Sequence, residues 1–542
     1  MKTRKQYFNT GFIAGLAAGL FATGTMLLLS ILVGGISLPE VLGSKLTELM
    51  SPSLFEYLHQ TIGVDAKHYL FDGIVVGQCL LFALSGGLYM FTLVSYRPLI
   101  LKQSKLPSYH GLLLALILWL FSGLIFLPLS DAGIFGSQLS IGLINTTLSL
   151  AAVGAIFGLL FVPIFNWLAL RPTAHTSEDK QASVLARRTF IKRGFIIAGV
   201  GIIGIAAWRF ITDGISATSA PVLTAVRNFK SKIVPPPVPN YGTITPTQFL
   251  SPEITSNDQF YIVSKNLFSD PDVNASNWQL TVDGDVDHPF TLSYNQLLTQ
   301  PMQQQYESIM CISNEVGGQY MSNALWEGIP LKDLLQQAGV KPGAIKVVFS
   351  AVDDYSDSIT LEKALEPTTL IAVRMNGTTL PKGHGFPARM LVPGIYGMKH
   401  CKWLNHIQVV TQDYQGYWQQ RGWSDPAPIR MTTRIDTPLI GSSIPVNQTT
   451  SIAGVAFSGN KGISEVDVSL DGGNTWQRAS LKRPLSNLTW VLWEYAWQPT
   501  ARGYYVVAAR AIDIEGNVQS PDVDPPAPNG SSGYHTINLS VV

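Results

Sequence analysis

Cys311 stands at the centre of the stretch with the most potential for chemistry, residues 306–331, which read YESIMCISNEVGGQYMSNALWEGIPL. The thiolate is the form of cysteine that binds metals, and this cysteine lies in polar, glycine-containing sequence where a metal or ligand could reach it. The chain has three cysteines, and Cys79 lies inside an apolar run, so any disulfide would have to join Cys311 to Cys401. A lone cysteine is more often a buried structural residue, so its role depends on the rest of the chain.

A second candidate cluster lies in two short motifs, HGFPAR and HCKWL. The motifs contain two histidines, an arginine, a cysteine and a lysine: His384, Arg389, His400, Cys401 and Lys402. Arginine, lysine and protonated histidine supply charge-assisted donors to an anionic ligand. A zinc site built from His384, His400 and Cys401 is an alternative, but these residues have no recognised ligand spacing and no obvious fourth ligand.

Length and composition indicate several domains of different character. The chain has 542 residues, too many for one domain. The first 211 residues contain long apolar runs, whereas the remainder is typical of a water-soluble chain. The 37 Lys and Arg residues nearly balance the 36 Asp and Glu residues, so the net charge gives no reason to expect nucleic acid as a partner.

The N-terminal region reads as an all-α membrane bundle. Four apolar runs are long enough to cross a bilayer, and a shorter fifth is sufficient: residues 9–36, 71–96, 111–129, 141–170 and 194–211. The first run is long and lacks a clear cleavage site, so it is predicted to be a true span and not a removable signal peptide.

The positions of basic residues predict the orientation of these spans. Basic clusters lie before the first span, between the second and third, and after the fourth. Such clusters stay in the cytoplasm, and five spans then place everything after about residue 213 outside the cytoplasm. Before the fifth span, residues 187–192 read RRTFIK, which resembles the twin-arginine export signal for proteins that fold in the cytoplasm. An ordinary positive-inside cluster is the alternative.

The region after the proline-containing linker at residues 213–245 predicts a mixed α+β domain. Residues 260–271 predict a short strand that runs into a polar loop, and NWQLTVDGDVDHPFTLSYNQLL predicts strand, turn, strand and helix start. IPLKDLLQQAGV predicts a helix ended by Gly339, IKVVFSAVD a buried strand and LEKALEP a short helix. TLIAVRMNGTTLP predicts a strand that ends in an Asn376-Gly377 hairpin turn.

The C-terminal region predicts an all-β domain. From about residue 437, segments of alternating character such as SIAGVAFSG, ISEVDVSLDGG and GYYVVAARAIDIEGN are separated by Gly and Asp turns. This pattern is typical of an immunoglobulin-like sandwich. The predicted organisation is therefore a membrane domain at 1–212, a linker at 213–245, an α+β domain at 246–436 and a sandwich at 437–542.

From about residue 246 to the C-terminus, the chain resembles the sulfite oxidase family of molybdopterin enzymes. The matching elements follow each other in order: FYIVSKN, the single Cys followed by SNEVGG and WEGIPL, then MNGTTLPKGHGFPARMLVPGIYGMKHCKWL, and the terminal all-β region. One such element would be weak, whereas their succession is specific. The resemblance implies a molybdopterin-binding domain followed by the family's dimerisation domain.

The resemblance also implies roles for the matched residues. Cys311 would be the thiolate ligand of molybdenum, and soft sulfur suits this metal. The remaining matches would hold the pterin and its phosphate: Tyr261, Lys265, Asn266, Asp353, His384, Arg389, His400, Cys401 and Lys402. The segment DYQGYWQQRGWSDP, residues 413–426, would line the mouth of the pocket.

This chain departs from the family where sulfite would bind. Trp423 stands where animal and plant sulfite oxidases have a tyrosine beside the metal-bound oxygen. The segment ISNEV after Cys311 lacks an expected arginine, and Asn529-Gly530 stands where Arg-Gly would be. Three arginines remain as candidate anion contacts, although they could equally form structural salt bridges: Arg421, Arg430 and Arg434.

These observations predict a membrane-anchored molybdenum enzyme whose catalytic domain lies outside the cytoplasm and acts on a small molecule, with sulfite a doubtful substrate. Cys311, Trp423 and Arg421 are the predicted catalytic residues. No C-x-x-C-H haem motif occurs, so the predicted electron partner is a separate carrier or the quinone pool, and the chain could form a homodimer. Two alternatives are a sulfoxide-type reductase with the same site and a non-catalytic binding protein that has lost the cofactor.

Overall fold

The computed structural model describes most of the chain: residues 4–33, 35–50, 66–96, 105–139, 141–169, 242, 244–266 and 270–542. The chain divides into two compact units, residues 1–49 with 62–231, and residues 50–61 with 232–542. The predicted fifth span, the twin-arginine-like motif and most of the predicted linker lie outside the described residues.

The N-terminal unit is helical, as the apolar runs predict. Its helices are α1 (Arg4–Val33), α2 (Leu38–Leu49), α3 (Ala66–Tyr96), α4 (Tyr109–Leu129) and α5 (Gly142–Ala169). Four of these five, all but α2, are long and apolar enough to cross a membrane.

Helices α1 and α3 lie close together because small residues face each other. A Cβ atom at Gly15 would lie 2.5 Å from the carbonyl oxygen of Phe82, and Gly86 of α3 lies directly against Gly15. Small residues at such contacts let two apolar helices pack backbone to backbone. Gly15 and Gly86 therefore serve the packing of α1 on α3.

The C-terminal unit begins with a five-stranded mixed sheet. Its strands are β1 (Gln279–Gly284), β2 (Phe290–Ser293), β5 (Lys346–Ala351), β6 (Ser356–Thr360) and β10 (Leu404–Val410), arranged in the order β2-β1-β10-β5-β6. Only β1 and β10 pair in parallel. A second sheet has the order β3-β4-β7-β8, with β9 also paired to β7; its strands are β3 (Gln303–Met310), β4 (Met321–Pro330), β7 (Leu370–Met375), β8 (Thr378–Thr379) and β9 (Arg389–Leu391).

Three short helices accompany these sheets: α6 (Tyr294–Leu298), α7 (Leu331–Ala338) and α8 (Leu361–Ala364). Helix α6 begins with a capping box in which the side chains of Ser293 and Gln296 bond each other's backbone N–H groups. Helix α7 ends at Gly339, whose left-handed conformation suits glycine. The Asn376-Gly377 turn has positive φ at both residues, as a tight hairpin between β7 and β8 requires.

The remaining strands form two sheets around a shared apolar core. One has the order β11-β13-β17-β16 and the other β12-β19-β18-β14-β15. Their strands are β11 (Thr432–Thr437), β12 (Ser443–Ile444), β13 (Thr450–Phe457), β14 (Ile463–Ser469), β15 (Gln477–Arg478), β16 (Ser480–Leu481), β17 (Val491–Trp497), β18 (Gly503–Asp513) and β19 (His535–Val541). Alternate residues of both sheets, such as Ile452, Val466, Trp493 and Val507, are fully buried between them.

The strand predicted near residue 260 is wrong. Residues 260–266 contain no strand, because their backbone meets side chains and turns instead of a neighbouring strand. The Tyr261 N–H donates to the Ser322 hydroxyl at 3.2 Å, and the Phe260 N–H donates to the carbonyl of Ser256 at 2.9 Å. Phe260 is buried where it packs on Trp326 of β4, whereas Ile262 is exposed, so the apolar residues of this segment do not form one buried face.

Candidate active site

One open cleft is lined by residues of the second sheet and by the loops that connect the strands of both sheets. Most of the residues singled out from the sequence meet there: Tyr261, Lys265, Cys311, Asp353, His384, Arg389, His400, Cys401, Lys402 and Trp423. Two predicted residues, Asn266 and Arg421, do not line it. The cleft therefore unites segments that are up to about 160 residues apart in the sequence.

Cys311 is the first residue beyond the β3–β4 hairpin ladder, whose last pair is Met310 and Met321. Its N–H donates to the carbonyl of Tyr320 at 2.9 Å, which closes the connecting loop. Its Sγ lies 3.0 Å from the Ser313 hydroxyl, and 8% of the residue is exposed, on the side of the cleft. None of the three cysteines forms a disulfide, so Cys311 and Cys401, the one pair that the sequence left open, are not joined.

The loop that follows Cys311 is fastened by the C-terminal sheets. The Arg434 guanidinium on β11 donates to the carbonyl of Gly318 at 2.9 Å, and the Ser531 hydroxyl donates to the carbonyl of Asn314 at 2.7 Å. Within the loop, the Asn314 side chain accepts the Tyr320 N–H. The thiol is thus held by a rigid hairpin and by two anchors from outside its own sheet.

Arg389 brings a buried positive charge to the cleft. It begins β9 and is 5% exposed, and its only hydrogen bonds go to the backbone carbonyls of His384 at 3.2 Å and His400 at 3.5 Å. In the described part of the chain its Nε has no partner, and no carboxylate lies within ion-pair distance. Burial lowers the pKa of Arg389 to about 10, so it stays charged at neutral pH. A buried guanidinium without a carboxylate is costly unless an anion joins it.

Lys402 extends this positive region. Its Nζ donates to the carbonyl of Gly383 at 3.0 Å and lies 4.3 Å from the centre of the Trp403 ring. Desolvation lowers the pKa of Lys402 to about 8; Asp270 opposes this, and Arg389 adds to it. In the described part of the chain no ion pair joins Lys402 to a carboxylate, and the charges of Asp270 and Asp353 act on it from beyond ion-pair distance.

The two histidines do not supply charge to this wall of the cleft. Burial lowers the pKa of His384 to about 4 and that of His400 to about 3. Each Nε2 lies beside a backbone carbonyl, Asn257 at 2.8 Å and Ile395 at 3.2 Å, so each neutral ring carries its proton on Nε2. Arg389 and Lys402 therefore provide the positive charge of this wall.

Glu307 lies behind His400 and is a feature that the sequence did not indicate. It is 1% exposed, and burial raises the pKa of its carboxyl to about 8 although Gln305 donates to it. Its Oε1 and His400 Nδ1 are 3.8 Å apart, and neither atom has a hydrogen-bond partner in the described residues. A protonated Glu307 facing the bare nitrogen of His400 is the arrangement that both pKa shifts favour.

The segment that contains Tyr261 also lines the cleft, and Phe260 next to it contacts the His384 ring. Gly397 allows the close approach of Tyr261, because a Cβ atom there would lie 2.8 Å from the phenol oxygen. Asn266 donates to the Asp353 carboxylate at 3.0 Å, so it reaches the cleft through Asp353. Lys265 lies 5.6 Å from the centre of the Tyr417 ring.

The loop of residues 413–425 after β10, here called the mouth loop, forms an aromatic wall of the cleft. Trp418 and Trp423 both line the cleft, and Trp423 is 5% exposed. Arg421 instead stacks on the Tyr417 ring, 3.6 Å from its centre, and donates to the Tyr417 carbonyl. This geometry gives no support to the prediction that Arg421 contacts a substrate directly.

The other two candidate anion contacts are also engaged elsewhere. Arg430 pairs with Asp524 at 2.6 Å and donates to Ser532. Arg434 pairs with Asp436 at 2.6 Å and holds the loop after Cys311. Neither lines the cleft, so both fulfil the alternative expectation of structural salt bridges.

Sequence reasoning missed several residues of the cleft wall. Tyr355, Met398 and Trp418 line it. Tyr355 follows Asp353 by two residues and Trp418 lies within the segment predicted to line the mouth, so proximity to predicted residues was the available signal. Met398 lies two residues before His400, within the quoted motif, and had the same signal.

Two family descriptions match the C-terminal unit. An "oxidoreductase molybdopterin binding domain" matches residues 268–418, which include Cys311 and the motifs HGFPAR and HCKWL. A "Mo-co oxidoreductase dimerisation domain" matches residues 429–524. The first match ends inside the mouth loop, at residue 418, and the second begins just after the loop, at residue 429.

Several known proteins are also similar to this chain, and two of them are animal sulfite oxidases. The chicken sulfite oxidase is 30% identical over 322 residues, which cover 50% of this chain and 69% of the chicken protein. The rat mitochondrial sulfite oxidase is 32% identical over 259 residues, covering 41% of this chain and 47% of the rat protein. The match thus spans about half the length of the mammalian relatives. Among solved structures, the sulfane dehydrogenase SoxCD from Paracoccus pantotrophus is 21% identical, with a TM-score of 0.46 over 55% of this chain and 87% of that one.

The tomato nitrate reductase is also similar, with 30% identity over 270 residues that cover 40% of this chain and 30% of that enzyme. Sulfite oxidases and a nitrate reductase are thus both among the proteins similar to this chain. The matching domains and the extent of the match to the chicken enzyme place this chain in the sulfite oxidase family of molybdopterin oxidoreductases.

Proposed function

We propose that this protein is an oxidoreductase that holds a molybdenum–molybdopterin cofactor in the cleft, with Cys311 as the protein ligand of the metal. The family implies the cofactor, and the residues of the cleft fit it. The observation that carries the proposal is the pairing of an accessible thiol with two cations, Arg389 and Lys402, that have no described carboxylate partner. A ligand with a phosphate and thiolate sulfurs would supply the missing anions.

The bound cofactor would supply a metal that changes between its hexavalent and tetravalent states while an oxygen atom moves between substrate and water. Arg389 and Lys402 would bind the phosphate, and His384 and His400 would line the pterin as neutral rings. Tyr261, Lys265, Asn266, Asp353 and Cys401 would complete the pterin contacts. Trp423 and its neighbour Trp418 would exclude water and orient the substrate at the open side.

Metal analysis tests the proposal. Full-length protein from cells able to make the cofactor is expected to contain close to one molybdenum per chain. Cys311→Ser is expected to abolish turnover, while Cys79→Ser, which changes a cysteine of α3, leaves both molybdenum and turnover unchanged. Wild-type protein without molybdenum would instead favour the alternative of a binding protein that keeps the fold and has lost the cofactor.

The substrate is the less determined part of the proposal, and a sulfoxide-type reductase is a second candidate. Its support is the open side of the cleft, where Trp418, Trp423 and Met398 stand and where Arg421, Arg430 and Arg434 are all absent. An aromatic wall suits an uncharged substrate with an apolar part better than it suits the sulfite dianion. Assays with sulfite plus an electron acceptor, and with methionine sulfoxide plus an electron donor, separate the two directions.

We further propose that the N-terminal helices anchor the protein in a cell membrane, with the catalytic region outside the cytoplasm. Four apolar helices and the distribution of basic residues support this. The twin-arginine-like motif and the fifth span belong to the same proposal. Reporter fusions after residue 105 and after residue 245 test it: the first is expected to be active only as a cytoplasmic reporter, the second only as an exported one.

The partners follow from the same proposal. Electrons would pass to a separate carrier or to the quinone pool, and residues 437–542 would form an immunoglobulin-like sandwich that dimerises, as its match to a dimerisation domain suggests. The predicted boundaries at 212, 245 and 436 belong to this proposal too. Light scattering on the detergent-solubilised protein gives the oligomeric state. If quinone is not reduced in membranes during turnover, the quinone pool is excluded as the electron acceptor.

A further inference from the structure

The mouth loop is closed at its base by a single lysine. Lys346, the first residue of β5, contacts both ends of the loop: its Nζ donates to Asp425 Oδ2 at 2.7 Å and also pairs with Asp413. The third donor of the ammonium group goes to the carbonyl of Tyr414 at 3.0 Å. All three N–H donors of this lysine therefore bond to acceptors in the mouth loop.

A second lysine holds the same end of the loop from the other side. Lys399 is 1% exposed, and its Nζ donates to Asp425 Oδ1 at 2.9 Å, to Asp357 Oδ1 at 2.7 Å and to the carbonyl of Ser358 at 2.9 Å. The two oxygens of Asp425 are thus divided between two lysines. Because Lys399 also holds Asp357 of β6, it ties the loop to the sheet that carries one wall of the cleft.

The backbone of the mouth loop lies directly on β6. The Tyr417 N–H donates to the carbonyl of Ser356 at 2.8 Å, and the Ser358 hydroxyl donates to the carbonyl of Tyr414 at 3.0 Å. Only glycine fits at residue 416, where a Cβ atom would lie 2.7 Å from the Cα of Asp357. These contacts place the loop so that Trp418 and Trp423 face the cleft.

We propose that Lys346 and Lys399, with Asp413 and Asp425, form a clamp that positions the mouth loop and thereby sets the width of the substrate entrance. These are positioning residues, because none of the four lines the cleft. The clamp acts at the two ends of the mouth loop. Residues between these ends, from Trp418 to Trp423, can therefore be substituted without loss of the contacts that hold the loop. The effect of the mouth loop on substrate entry rests on the proposed function, whereas the attachment of the loop by the clamp does not.

The fastening can be measured without activity. In full-length protein in detergent, Lys346→Met removes the charge and all three donors while keeping an apolar stem. Amide hydrogen exchange of residues 414–424 is expected to accelerate at least tenfold, and trypsin is expected to cut after Arg421 faster. Lys346→Arg, which can still bridge two carboxylates, is expected to restore most of the protection. Lys461→Met, which breaks an exposed pair with Glu515, is the matched control and should leave the loop unchanged.

Asp425→Asn and Asp413→Asn sharpen the test. Asp425 is touched by both lysines and Asp413 by one, so the acceleration of exchange should be larger for Asp425→Asn. Asp413→Asn changes an exposed side chain, so this variant is expected to fold. It can therefore serve as the test if Lys346→Met does not fold. Unchanged exchange at residues 414–424 in both Asn variants would overturn the clamp, even in an enzyme that is fully active.

The functional consequence is measured separately with whichever of sulfite or methionine sulfoxide the protein turns over. A looser entrance is expected to raise KM severalfold for Lys346→Met and to change kcat less, because the loop positions the substrate and the thiol is held elsewhere. Faster exchange with unchanged KM would leave the clamp in place but overturn its role at the entrance. An inactive wild-type protein would count against the proposed function and not against the clamp, since exchange still reports the fastening.

Discussion

Two sets of cations lie within the C-terminal unit, and they differ in whether carboxylates pair with them. Lys346 and Lys399 meet three aspartates, so every donor of both ammonium groups has an acceptor. The side chains of Arg389 and Lys402 line the cleft, donate to backbone carbonyls and lie over tryptophan rings, and neither forms an ion pair with a described carboxylate. Because an unpaired buried charge costs several kcal/mol, we propose that the first set stabilises the fold and that the second set binds an anionic ligand.

The contrast predicts opposite responses to the same kind of substitution. The largest loss of stability is expected for Lys399→Met, which leaves the fully buried carboxylate of Asp357 without its cation. The cost is about 3–5 kcal/mol in free energy of unfolding, as for other broken buried pairs. Fluorescence-monitored denaturation of the full-length protein measures it. A loss below about 1 kcal/mol would show that Asp357 is protonated and that the pair is not ionic.

Arg389→Met should act on the ligand and not on the fold. Cofactor-free protein is expected to be as stable as the wild type, or more stable, because a buried unpaired charge is removed. Cofactor retention should fall at least tenfold, since a charge-assisted hydrogen bond contributes about 1.5–3 kcal/mol. Molybdenum per chain after dialysis gives the retention. Strong destabilisation of the cofactor-free variant would show that Arg389 belongs with the paired set.

Glu307 predicts a pH dependence of stability on the cleft side. The folded protein holds a proton on this carboxyl up to about pH 8, whereas the unfolded chain loses it near the ordinary value of 4.5. The native state then binds more protons between these values, so stability falls as pH rises, by up to about 1.4 kcal/mol per pH unit. Glu307→Gln is expected to flatten this slope between pH 5 and 8 in cofactor-free protein. An equal slope in wild type and variant would contradict the protonated state.

The clamp predicts the smallest effect of pH, because hydrogen exchange in the mouth loop should not change between pH 5 and 8. Lys346 and Lys399 hold the pKa of Asp425 below the ordinary value of 3.8. A group with a lowered pKa gives stability that is present above its ordinary pKa and lost only as pH falls through the folded value. Exchange of residues 414–424, corrected for intrinsic rates, should therefore stay constant from pH 8 to 5 and increase only below about pH 4. An increase near pH 6 would mean that a different group holds the loop.

Local signals in the sequence predicted much of the fold. Gly339 at the end of a helix, Asn376-Gly377 between two strands, and long uncharged runs each act through neighbouring residues. The structure confirms both glycine positions and shows long apolar helices at the first four runs. The strand at residues 260–266 was wrong because Phe260 is buried by packing on Trp326 and not by strand pairing, and sequence alone does not separate the two.

The site was predictable to the extent that it depends on residue type. Cys311, Arg389 and Lys402 do meet in one cleft. The protonation of His384 and His400, the burial of Glu307 behind them and the clamp around Asp425 could not be read from the sequence. They depend on burial and on pairs such as Lys399 and Asp357, which are 42 residues apart in the chain. Charge on a side chain follows from its surroundings, and those are known only in three dimensions.

The central claim is that the thiol of Cys311 binds molybdenum in this cleft. X-ray absorption at the molybdenum edge tests it most directly, because the number of sulfur atoms around the metal is measured without a substrate. Wild-type protein is expected to show one more sulfur neighbour than Cys311→Ser, in which an oxygen takes its place, while Cys79→Ser matches the wild type. Equal sulfur coordination in wild type and Cys311→Ser would contradict the account.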